Sequence, residues 1–179
     1  MTGTASVDAE LRQLRETTVL AHFEAENEHD VAATLATFKS GSARTELPGE
    51  VADGPNAVAD AYRELFTAFP DMRFIDIKPE SLCHHGNRVI LESRVQGTHR
   101  GTYRGLPPTG RWVDLPVVAI FEFDGPDLVC ERAYFDRLAL LMLLGVARDP
   151  NSRAGRIAAL LNHPVTVARA ALRAARGAS

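Results

Sequence analysis

Asp136 is the side chain whose type and position most suggest chemistry. It closes an alternating segment, 127–136, with Tyr134, Phe135 and Leu138 close by in the chain. A carboxyl group kept from water by such neighbours favours its neutral form and titrates nearer the range useful for proton transfer. The competing assignment is a cap on the helix that follows. Arg94 and Gln96 stand two residues apart in a strand-like segment, so their side chains share a face. A buried Arg94 requires a carboxylate, which Asp136, Glu46 or Glu92 could supply, and beside Arg94 the Asp136 carboxyl would stay ionised as a base. Trp112, Tyr62, Phe66, Phe69 and Tyr134 are the aromatic candidates for cavity or core. His84 and His85 adjoin Gly86 in a turn, a weak metal pattern that reads as a solvated corner.

The elements that must position these residues follow from periodicity. Leu11, Leu14, Thr18, Ala21 and Ala25, widened by Val19, Leu20 and Phe23, predict a long amphipathic helix over 8–28. Asp30 caps a shorter helix that ends near Gly41, and Gly54-Pro55 opens a third helix running to Phe69. A short strand over 43–47 precedes it. Strands are predicted over 72–78, 87–97, 112–124 and 127–136, the last two joined as a hairpin by Asp124-Gly125-Pro126-Asp127. Helices followed by antiparallel strands imply an α+β domain, with helices over one face of a curved sheet and a cavity or partner on the other. On the last strand, Leu128, Cys130, Arg132, Tyr134 and Asp136 share one face unless a β-bulge intervenes. This parity predicts Asp136 inside the cavity, within reach of Arg94, with Gln96 nearby.

At 179 residues the chain is one domain with an appendage, divided here as 1–146 and 147–179. A formal net charge of −3 gives no reason to expect a nucleic-acid partner. Of 20 basic residues only Lys39 and Lys78 are lysines. Cys83 and Cys130 lack metal or redox spacing and are expected as buried, reduced thiols. Early acids at Asp8 and Glu10 argue against a secretory signal, and the apolar run 138–147 is too short for a bilayer, so a cytoplasmic setting is expected. The tail predicts two helices, 152–161 and 164–176. The second places Arg169, Arg173 and Arg176 on one face and Val165, Ala168 and Leu172 on another. Packing on its own domain or on a second subunit is favoured for it. Contact with an anionic membrane is the lesser alternative, because the apolar face is rich in Ala and has no aromatic anchors.

The segments HDVAATLATF, GPNAVADAYRELFTAFPDMRF, GTHRGTYRGLPPTGRWV and YFDRLALLMLLG, in that order, resemble the SnoaL-like polyketide cyclases over roughly 11–145. That resemblance implies the cone-shaped α+β fold of nuclear transport factor two. It also implies an acid/base ring closure without metal or cofactor, on a small and largely apolar polyketide- or terpenoid-like substrate. Asp136 matches the family's general acid/base, and His99 of GTH-x-G would donate to a developing enolate oxygen at the cavity mouth. The chain is also similar to the limonene epoxide hydrolases, whose water site would map onto Asp136 and Arg94. Gln96 stands where that family has its second acid, and Arg44 and Glu46 where it has Tyr and Asn, so most of the water-positioning set is absent. Glu46 and Gln96, with the aromatic residues, are the expected substrate contacts. Three functions therefore compete: a cyclase or isomerase, an epoxide hydrolase, and a binding module, which an outward-facing Asp136 would favour. A homodimer through the outer face of 112–124 and 127–136 is expected, because these strands carry apolar residues at both parities.

Overall fold

The computed structural model describes residues 3–177. Helix α1 (Gly3–Asn27) and the short α2 (Val31–Ala36) lead into a hairpin of β1 (Arg44–Leu47) and β2 (Glu50–Asp53). Next come α3 (Pro55–Ala68), β3 (Arg73–Ile75), β4 (Cys83–His85) and three long strands, β5 (Arg88–Thr98), β6 (Trp112–Asp124) and β7 (Asp127–Tyr134). Helices α4 (Arg137–Leu143), α5 (Arg153–Asn162) and α6 (Pro164–Gly177) complete the chain. Strand order is β2-β1-β7-β6-β5-β3, with β4 also pairing β5. All pairings are antiparallel except β1 with β7, which sets Thr45 opposite Glu131. The expected α+β cone is therefore present: a curved sheet with α1 and α3 over its concave face.

Local chemistry explains several boundaries. Asp30 accepts the Ala33 amide at 2.9 Å and so caps α2. Pro55 occupies the first turn of α3, where its missing N–H costs nothing. α2 stops at Ala36 with Thr37 as a right-handed C-cap, earlier than expected, and Gly41, at φ +79, instead takes the left-handed turn between Phe38 and β1. On β6, Val113, Leu115, Val117, Ala119, Phe121 and Phe123 all point inward and are at most 4% exposed. Burying each of the larger ones stabilises the fold by roughly 1.5–3 kcal/mol. The sequence predicted the strand over 112–124, and the structure assigns its odd-numbered residues to the buried face.

Three expectations need correcting. The inward face of α1 is not the Leu11–Leu14–Thr18 stripe: Leu14 is 50% exposed, and Arg15, Val19, His22, Phe23 and Glu26 turn inward. The buried Arg15 is satisfied by carbonyl oxygens, donating to Gly125 at 2.9 Å and Gly86 at 3.0 Å, and it lies over the Phe123 ring. The cysteines are both free, as expected, but only Cys130 is buried while Cys83 is exposed. His84 and His85 belong to β4 rather than to a loose corner, and His84 pairs with Glu16 at 2.8 Å.

Candidate active site

Asp136 lies outside the cone. Its side chain is exposed and accepts the Ala139 amide at 3.0 Å, capping α4. The cause is a β-bulge. Phe123 pairs with Leu128 and Glu122 with Cys130, which leaves Val129 as the extra residue. Beyond it, Glu131, Ala133 and Phe135 turn inward, whereas Arg132 and Tyr134 face out, Tyr134 at 51% exposure. Arg94 and Gln96 do share a face, but it is the outer one. Arg94 pairs with Asp114 at 2.7 Å, and the Gln96 amide donates to the same carboxylate at 3.1 Å. The expected contact between Asp136 and Arg94 does not form. Glu46 also faces out, between Arg44 and Arg132, each at 2.7 Å. Trp112, on the same side, is 52% exposed.

His99 is buried rather than at the cavity mouth. Its ring stacks on Phe69, and its Nδ1 accepts the Thr109 amide at 3.2 Å, which assigns the ring hydrogen to Nε2. That Nε2 has no partner among the described residues. Burial lowers the His99 pKa, so the ring is held neutral. Phe66 is buried and stacks on Tyr62 and His29, making it a core residue. Of the candidates read from the sequence, only Tyr62 reaches the polar part of the interior.

That interior is a path of three chambers sharing Leu47 and Tyr103. The mouth, about 170 Å³, lies beside Glu50, Arg104, Arg137 and Leu141. Arg104 joins Glu64 at 2.8 Å and also Glu50, which Arg137 meets at 3.1 Å, so an ionic rim ties the 99–111 loop to β2 and α4. The middle chamber, about 90 Å³, is walled by apolar side chains including Leu65, Val95, Leu115 and Phe135. The innermost, about 70 Å³, is lined by Glu26, Tyr62 and Glu131 beneath Thr45 and Ala133. Together they stand near the lower end of small-ligand sites, roughly 300–1,000 Å³.

The floor is a closed polar cluster. His22 and Glu26 stand one turn apart on α1, Tyr62 comes from α3 and Glu131 from β7, and all four are buried. The Thr37 hydroxyl donates to Thr34 O at 2.7 Å, so at 2.6 Å from His22 Nδ1 it can only accept. Nδ1 therefore carries a hydrogen and donates it to Thr37, and Nε2 faces the cluster. Nε2 is 3.1 Å from the Tyr62 hydroxyl, 3.5 Å from Glu131 and 3.7 Å from Glu26. Tyr62 donates to Glu131 at 2.7 Å, and one Glu26 oxygen has no partner among the described residues.

These surroundings push the two carboxyl groups apart. Burial raises Glu26 well above the ordinary range, and the Glu131 charge adds to this, against the opposing Tyr62 hydroxyl. Burial also acts to raise Glu131, but the hydrogen bond and charge of His22, with the Tyr62 hydroxyl, outweigh it and lower the group. Burial, then the adjacent carboxylates, raise Tyr62 and keep its hydroxyl protonated. The chamber thus pushes Glu26 toward its neutral form and Glu131 toward its ionised one, the pattern that marks acid/base assignments. His22, Glu26 and Glu131 also bring one ligand atom each within 4.8 Å of one another, so they could accept a metal ion as well as exchange protons.

Comparison with known proteins places this architecture. The profile of the SnoaL-like polyketide cyclases matches residues 16–143. The chain belongs to that family. A SnoaL-like polyketide cyclase, so described, from Jannaschia sp. CCS1 superposes with a TM-score of 0.67 at 21% identity, over 76% of this chain and 94% of its own. A Xanthomonas campestris protein described as a polyketide cyclase gives a TM-score of 0.66 at 24% identity, over 75% and 98%. A phenazine biosynthesis-related protein of Pseudomonas aeruginosa gives 0.65 at 18%, over 86% and 98%. At these identities the likeness is one of fold. No curated protein matches the chain. Among the described residues no helix is long and apolar enough to cross a membrane.

Proposed function

We propose that this SnoaL-like protein is a cofactor-independent acid/base enzyme of the cyclase or isomerase type, acting on a small, largely apolar substrate inside the cone. The observation carrying this is the buried Glu26–Glu131 pair, pushed in opposite directions by its surroundings at the end of an apolar path. Glu131 takes a proton from an acidic carbon of the substrate. Tyr62 or Glu26 donates to the oxygen on which negative charge develops, and the apolar walls hold the chain folded for closure. His22, fixed by Thr37, positions Glu131. An apolar polyketide- or terpenoid-like skeleton suits the middle chamber. Epoxide hydrolysis through Arg94, Gln96 and Asp136 has no support, because these residues do not converge.

The exposed Asp136 favours a second reading, a small-molecule binding module, since the family's expected acid is not in the cavity. Deuterium exchange at the α-carbon of an apolar cyclic ketone, followed by NMR, separates the two. The enzyme accelerates exchange, Glu131→Gln slows it by roughly a hundredfold or more, and Asp136→Asn leaves it unchanged. Saturable binding of the ketone without any acceleration would establish the binding module instead. A homodimer through the outer sheet face remains part of the proposal, supported by Val118 opposite Tyr134 and by the half-exposed Trp112. Two free thiols suit a reducing, cytoplasmic setting.

A further inference from the structure

A second concavity lies outside the cone. A groove of about 980 Å³ runs between α1 and β3. Leu20, Phe74, Ile75 and Ile77, all partly exposed, form its floor. Glu24, Glu28, Asp71 and Asp76 stand along it and are exposed, with Arg73 the one arginine among the lining residues. Glu24 and Glu28 are one helical turn apart on α1. β3 is an edge strand whose free side is held by Asn27, which donates to Phe74 O at 3.0 Å and accepts the Phe74 amide at 2.7 Å. The groove floor is thus rigid backbone rather than loop.

The complementary surface is on the same chain. Residues 147–179 carry six arginines and one acid, Asp149, while residues 1–146 carry a formal net charge of −8. On α6, Val165 and Leu172 are each 59% exposed, and Arg169, Arg173 and Arg176 repeat at helical spacing on another face. This helix packs chiefly on α5, whose Ile157 and Leu161 are themselves exposed. A 14-residue helix half sunk in a groove, about 21 Å long and 10 Å across, takes up roughly 800 Å³, which the α1/β3 groove accommodates.

We infer that α6 of one copy docks into the α1/β3 groove of a second copy, with Val165, Ala168 and Leu172 on its floor and Arg169 and Arg173 against Glu24 and Glu28. This is the helix-in-groove mode of recognition, and a two-fold axis would make it reciprocal. A bilayer is the weaker occupant, because α6 lacks aromatic anchors and the acidic body would be repelled from anionic lipids. The docking is independent of the cavity chemistry and touches none of the outer sheet face.

Sedimentation equilibrium of the full chain tests it. In low salt the wild type associates beyond its 19.5 kDa monomer. Arg169→Glu/Arg173→Glu weakens the association roughly tenfold or more, as does Glu24→Arg/Glu28→Arg, and combining the four changes restores it to within about threefold. A sheet-face dimer would ignore every one of these changes. Leu172→Glu, with circular dichroism as a check on folding, weakens association without altering the α1 charges. A monomeric wild type, charge reversals without effect, or a four-fold variant that fails to recover would each overturn the proposal. So would a chain that stays monomeric yet sediments with phosphatidylglycerol-containing vesicles through α6.

Discussion

Tyr62→Phe tests the polar floor with the least change of shape. The ring remains, and with it the stack on Phe66 and the edge contact with His22. What is lost is one buried hydroxyl, which donates to the buried Glu131 at 2.7 Å. Buried hydrogen bonds to charged groups are worth about 1.5–3 kcal/mol. For a chain of this size the loss lowers Tm by about 3–12 °C, at roughly 2–4 °C per kcal/mol. The effect depends on pH. Glu131 is a lowered carboxyl group, so its contribution is present above the ordinary 4.5 and disappears as pH falls through its folded value. The difference between wild type and Tyr62→Phe is therefore largest near pH 7 and narrows below pH 4.5. Calorimetric melts at pH 7 and pH 4 measure it. An unchanged Tm at pH 7, or the same deficit at both values, would refute the picture of Tyr62 supporting an ionised Glu131.

Asp136→Ala removes the α4 cap and should cost about 1 kcal/mol, whereas Asp136→Asn should keep the cap and stay within a few tenths of wild type; chemical denaturation distinguishes the two. Burial pushes the Cys130 thiol up to about 11, while Cys83 is exposed, so a thiol reagent at pH 8 should titrate one cysteine rapidly and the second only on unfolding.

Much of this fold was legible because its longest strands have one buried face. Alternation over 112–124, with the Gly125-Pro126 turn, locates the hairpin without ambiguity. Two features hid the site. On α1 the inward face carries Arg15, His22 and Glu26, and polar residues interrupting an apolar stripe draw the eye to a neighbouring one. The signal was present as His22 and Glu26 at i, i+4, flanked by the inward Val19 and Phe23. On β7 the one extra residue at Val129 reversed the parity that placed Asp136 inside, and no turn residue advertises it. Glu131, alternating with Ala133 and Phe135, was the carboxylate to follow. Arg94 and Gln96 were correctly paired on one face, but which face met the helices depended on contacts far apart in sequence.

The bulge at Val129 also acts as a phase setting for the whole interior. Keeping Val129 but pairing it in regular register, with the bulge ironed out, would move β7 on by one step. Cys130, Arg132 and Tyr134 would then face the cone, and Glu131, Ala133 and Phe135 the outside. The floor would exchange its carboxylate for a guanidinium and become a receptor for anions, on the same scaffold and with the same helices. A slip of one residue in the pairing of this strand is thus enough to reverse the sign of the charge that the cone presents to whatever enters it.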